Sequence, residues 1–143
     1  VTSTLFDTGP DDDFLVVISM TGVDQTTPVG TAATASGNST TATVTVGSVG
    51  TDDLVVDNVL LNSWATIVIG ASQTERYTQT NGLNDVRGST QPGSAGGVMS
   101  WTASAGTGPW GIGAVAFKPS AAAAGHPTMR RWGGVPYMIQ GWN

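Results

Sequence analysis

Alternation is the clearest pattern along the chain. From Thr41 to Val46, Ala42, Val44 and Val46 point one way and Thr41, Thr43 and Thr45 the other. A period of two predicts a half-buried strand with a threonine outer face. VMSWTAS (98–104) alternates in the same way, and WGIGAVAFKP (110–119) reads as a strand that stops at Pro119, where the ladder loses a donor. Other runs are continuously apolar. FLVVISM (14–20) predicts a strand buried on both faces. LVVDNVLLN (54–62) and ATIVIGAS (65–72) predict two more strands. The polar stretch 73–97 reads as one or two loops with a short strand around Tyr77. VTSTLFDTGPDDD reads as a loop, and GTDD and AGTGP as turns. No segment sustains a 3.6-residue period with caps. About six short strands parted by Gly, Asp, Asn and Ser turns predict an all-β chain, an antiparallel sandwich or barrel.

The pattern breaks at Pro119. SAAAAG (120–125) is an Ala-rich linker, and HPTMRRWGGVPYMIQGWN (126–143) follows. The organisation expected is a β-domain over 1–119, the linker, and an extended aromatic C-terminal arm over 126–143. The arm is too interrupted by Pro and Gly for a helix and too apolar for a solvated tail. Aromatic and arginine anchors carry much of the energy of interfaces. Arg130, Arg131, Trp132, Tyr137, Met138 and Trp142 are therefore the candidate interface residues.

Length and charge narrow the classes. The 143 residues fit one domain. The net charge is −5, and residues 1–120 hold all ten acids against Arg76, Arg87 and Lys118. An acidic body disfavours nucleic acid as a partner, because phosphate binding needs a basic footprint. With no cysteine, disulfides and thiolate metal sites are excluded. No apolar run approaches the roughly 18 residues of a membrane span, and no signal peptide is visible. The chain begins VTST without Met, and the expectation is a processed native start or an incomplete chain.

Candidate chemistry is thin. TGVDQTTPVG (21–30) gathers turn-forming residues, and Asp24 would need a partner acid, nucleophile or histidine to act as a base. His126 is the single histidine and Glu75 the single glutamate, which leaves little for a triad or a carboxylate pair. Asp11–Asp13 and Asp52–Asp53 offer oxygens for calcium but lack EF-hand spacing. GSAGG lacks the lysine and following helix of a phosphate loop. Asn38-Ser39-Thr40 matches a glycosylation sequon. Trp64, Trp101 and Trp110 read as core residues, or alternatively as an exposed platform for sugars. The expectation is no enzyme, no cofactor and no metal.

Residues 14–119 resemble an uncharacterised β-sandwich module of bacterial and phage proteins. The resemblance rests on GVDQTTP before a Thr/Ser-rich strand, then DDLVVD, SWTASAG and WGIGAVAFKP. It implies a jelly-roll or lectin-like sandwich and no catalytic residues. Twenty residues precede Thr21 here, fewer than the module usually has. GHPTMRRWGGVPYMIQGW resembles the MRRxGG endings of phage structural proteins. Together these lead to an expected non-enzymatic structural protein of a phage-like virion or other extracellular assembly. It would be a capsid decoration or surface protein, homo-oligomeric or docked on a capsid or filament lattice, and held by its arm. The alternative is a secreted carbohydrate-binding or adhesion module with a glycan as partner.

Overall fold

The structure is a computed structural model and describes residues 16–62, 65–81, 84–105, 107–121, 130–132 and 135–137. The chain is an all-β sandwich of two antiparallel sheets. Eight strands build it: β1 (Val29–Ser39), β2 (Thr41–Thr45), β3 (Leu54–Asn62), β4 (Ala65–Ile69), β5 (Thr74–Asn81), β6 (Asn84–Pro92), β7 (Val98–Ala105) and β8 (Gly108–Phe117). The larger sheet has the order β1-β8-β3-β6-β5, and the smaller has β2-β7-β4. Strands from opposite ends of the chain thus lie side by side, β1 with β8 and β2 with β7. This is the wrapped, double Greek-key pattern of a jelly roll. β5 departs from it by pairing with β6 at the edge of the larger sheet.

The alternation read from the sequence sets the layers. Ala42, Val44 and Val46 are buried, and the intervening threonines face outward. Val55, Val59 and Leu61 of β3 and Ile112, Ala114 and Ala116 of β8 meet them from the facing sheet, with Met99, Trp101 and Ala103 of β7. The chain passes from one sheet to the other at a corner after β1. There Ser39 Oγ donates to Thr41 O at 2.9 Å, and Ala103 N donates to Thr40 O at 2.9 Å. Turns on the other side fit closely. A Cβ on Gly97 would stand 2.0 Å from Val46 O, so only glycine fits there.

Two sequence expectations are corrected, and one strand is added. Residues 16–20 of the FLVVISM run form no strand, and Val17 is 77% exposed. Its described residues 16–20 have no ladder partner, and Val16 and Ile18 line a hollow on the outside of the larger sheet; Phe14 and Leu15 lie outside the described residues. Residues 73–97, read as one or two loops with a short strand around Tyr77, form two long strands, β5, which holds Tyr77, and β6; they pair from Thr74↔Thr90 to Asn81↔Asn84 with a bulge between Glu75 and Tyr77. Their threonines and polar side chains hid the strands from a hydrophobicity reading. β1 was equally hidden, because VGTAATASGNS is built of small residues.

Between the sheets lies one carboxylate. Asp57 falls in the inward row of β3 with Val55 and Val59 and is 1% exposed. Its Oδ1 accepts from Ser89 N and Ser89 Oγ, both at 2.7 Å, and its Oδ2 accepts from Trp101 Nε1 at 2.8 Å. Gln73 extends the chain of bonds: its Nε2 donates to Ser89 Oγ at 2.8 Å and its Oε1 accepts from Ser100 N at 2.8 Å. The Trp101 bond spans the two sheets. Burial pushes the Asp57 carboxyl above its ordinary value, against the pull of the Ser89 and Trp101 donors. A buried polar group is tolerated when all its bonds are made, and this one pins β3, β6 and β7 in a single register.

Candidate binding surface

The quoted loop TGVDQTTPVG is structural. Asp24 Oδ1 accepts from Thr26 N at 2.7 Å and Thr27 N at 3.0 Å, a side-chain turn of the kind aspartate forms readily. Those two bonds hold its carboxyl below the usual value. Asp24 N donates to Lys118 O at 3.0 Å, Lys118 N to Pro28 O at 2.9 Å and Ser120 N to Gly22 O at 2.7 Å. Gly22 takes φ +74°, which glycine adopts without strain. The loop thus clasps the end of β8. No nucleophile or second acid joins Asp24 among these contacts.

The other candidates disperse. Asp53 turns back on its own loop and accepts from Gly50 N at 2.9 Å. Among the described residues, no three of His, Cys, Asp and Glu gather around one point. Trp101 is fully buried, so it belongs to the core and cannot serve as a sugar platform. Trp110 is half-buried, with Nε1 donating to Ser39 Oγ at 3.1 Å. Trp64, Asp11–Asp13 and His126 lie outside the described residues.

Of the arm, Arg130–Trp132 forms β9 and Val135–Tyr137 forms β10. They pair antiparallel, Tyr137 opposite Arg130 and Val135 opposite Trp132. The two strands make a sheet of their own, separate from the sandwich sheets. The extended arm of the sequence reading therefore contains a hairpin. The Gly-Gly pair between the strands is a hairpin signal that this reading passed over. Met138 and Trp142 lie outside the described residues.

The surface that the sequence reading missed is the outer face of the larger sheet. The registers line its residues up in rows across the strands. One row runs Ala32, Val115, Val56, Thr90, Thr74; the next Thr34, Gly113, Asn58, Gly88, Tyr77; the next Ser36, Gly111, Leu60, Val86, Gln79. None of these residues is charged. The β6 half is covered: Val56, Val86 and Thr90 are buried, the Tyr77 ring lies against Gly88, and Arg76 Nε donates to Thr90 Oγ1 at 2.7 Å. The β8 half is open. Two neighbouring hollows of about 380 Å³ each lie there. The first is floored by Gly113 and walled by Val16, Ile18, Thr34, Val56 and Tyr77. The second is floored by Gly111 beside Leu60, Asn62 and Trp110. Each is of the size of a small-ligand or side-chain pocket. Tyr77, partly buried at the edge of the first, has its phenol pushed up to about 12 by burial, with the Asp57 charge adding to it. It therefore stays a neutral hydroxyl at physiological pH.

Comparison with protein-family models, with characterised proteins and with solved structures finds no match for this chain.

Proposed function

We propose that this chain is a non-enzymatic structural module of an extracellular assembly, such as a decoration or surface protein of a phage-like virion, joined to its neighbours by the C-terminal arm. The observation that carries the reading is the division of labour between body and arm. The core closes on strands β1–β8, while β9 and β10 pair only with each other among the described strands. The arm is thus not used to complete either sandwich sheet. Its sequence adds Arg130 and Arg131 and no acid to a body whose three basic and ten acidic residues balance at −7. Such a segment supplies aromatic and arginine anchors and attraction to an acidic neighbour that weakens with salt. The resemblance of the GVDQTTP module and the MRRxGG ending to phage proteins points the same way.

The test is the mass in solution of the full chain and of a chain ending at Ser120. Assembly of the first, with the second folded and monomeric, is the expected result. Equal masses for the two would refute a role for the arm. The alternative, a carbohydrate-binding or adhesion module, loses Trp101 as a platform but keeps the uncharged outer face as a place for a neutral glycan.

A further inference from the structure

The hollows over Gly111 and Gly113 are not demanded by the fold. Both glycines sit inside β8, the strand paired on both sides in the larger sheet. Neither has the positive φ that requires glycine. A Cβ on Gly111 would meet no described atom within 4 Å, and one on Gly113 would meet only Thr34 Cγ2 at 3.8 Å, an ordinary contact. Glycine inside a strand costs stability and leaves nothing to pack. Elsewhere on the same sheet the space over a glycine is filled: the Tyr77 ring occupies Gly88 and the Trp110 ring approaches Gly37. On β8 no described side chain fills the space, and its lining is mainly apolar, with Thr34, Asn58, Asn62 and Asn84 among its polar members.

We propose that this trough is the seat of the C-terminal arm of a second copy of the chain, with Trp132 and Tyr137 entering the two hollows; the proposal rests on the arm-mediated assembly argued above. Three observations choose this occupant. The apolar walls, among them Val16, Ile18, Val56 and Leu60, suit aromatic side chains better than a polyhydroxylated ligand. The arm is basic and the body acidic, so a neighbour's arm is drawn to this body. The spacing also fits. In the register of β9 and β10, Trp132 pairs with Val135 and Tyr137 with Arg130, so Trp132 and Tyr137 belong to residue pairs one row apart. Gly111 and Gly113 are likewise one row apart, and a row is about 7 Å along a strand.

The experiment uses the full chain and reads its mass over a dilution series together with its melting temperature. Four proteins are compared: the wild type, Gly113→Thr, Gly111→Thr, and the double arm variant Trp132→Ala/Tyr137→Ala. The expected result is an oligomeric wild type whose half-dissociation concentration rises about tenfold or more in each variant, with the melting temperature of each dissociated glycine variant no lower than that of the dissociated wild type. Three results would overturn the proposal. Dissociation by the arm variant alone, with the threonine variants assembling normally, would keep the arm reading and move its seat elsewhere. A lower melting temperature in monomeric threonine variants would mean that the chain fills its own trough. A monomeric wild type that is retarded by a neutral polysaccharide such as dextran or mannan in affinity electrophoresis, with retardation lost in the threonine variants, would make the trough a glycan site.

Discussion

Two faces of one sheet follow opposite rules. On the inward face of β3, Asp57 is a costly residue in a costly place, yet both its oxygens accept short bonds, two from Ser89 of β6 in its own sheet and one from Trp101 of β7 in the other. On the outward face, one residue further along, Asn58 looks across at Gly113 of β8, where the chain gives up side-chain packing and gains nothing in backbone geometry. The inward departure from a plain apolar core is compensated within the fold. The outward departure is not. A local cost with no local compensation is where contact with something else is to be sought.

The comparison breaks most visibly on the inside. Trp101→Ala removes a fully buried indole that bridges the sheets and should cost about 3–5 kcal/mol by urea unfolding. Trp101→Phe keeps most of the apolar volume but leaves Asp57 Oδ2 short of a donor, and about 1–3 kcal/mol is expected. A Phe variant as stable as the wild type would show that the carboxylate does not hold the sheets together. Both effects should leave the outer face untouched.

Asp57 also sets a pH dependence. Its folded value is raised above the ordinary 3.8, so the folded protein holds this proton more tightly than the unfolded chain. Its contribution is then fully present below about 3.8 and is lost as pH rises through the raised folded value. Measured against Asp57→Asn, which cannot titrate, wild-type stability should rise as pH falls through that window. A difference that is flat or of opposite slope would mean that the donors outweigh burial.

The inward face was largely legible in the sequence, and the outward one was not. The 42/44/46 alternation, the 54–62 run and the last two sandwich strands announced themselves by hydrophobic period. Asp57 did not, because a lone acid in LVVDNVLLN reads as an outward residue until the register of Ser89 and Trp101 is known. β1 and β6 were missed, and β5 was expected only as a short strand around Tyr77, because these strands are held by backbone ladders and small or polar side chains, with little apolar signal. FLVVISM misled in the other direction: a continuous apolar run reports burial of some kind, but here its described part has no ladder partner, and Val16 and Ile18 line a hollow on a sheet face. Gly111 and Gly113 were visible in WGIGAVAF at the spacing of one strand face. Only the empty space above them gives that spacing meaning.

The outer face can be sharpened by adding what it lacks. Thr has good strand propensity, and replacing a strand-interior glycine that meets no clash should stabilise the sandwich by about 0.5–1 kcal/mol. Gly111→Thr is the cleaner case, since no described atom lies within 4 Å of its Cβ. Urea unfolding of the variant under dissociating conditions checks it, and a loss of stability would show that the space is already occupied.

The smallest effect expected belongs to the clasp at Asp24, which gives the converse of Asp57. Asp24 lies at the surface and is held below the ordinary 3.8 by the Thr27 and Thr26 amides. Its contribution is present above about 3.8 and fades as pH falls through the lowered folded value, the reverse of the slope at Asp57. Asn at this position can still accept from the Thr26 and Thr27 amides through its side-chain oxygen, so Asp24→Asn tests the charge and Asp24→Ala tests the turn. Carboxyl-carbon NMR should place Asp24 below, and Asp57 above, the ordinary aspartate range in one titration. If both titrate on the same side, either the turn or the buried network is not formed in solution. Which of the two fails is then given by the variants, because only the Asp57 network reaches across the sandwich to Trp101.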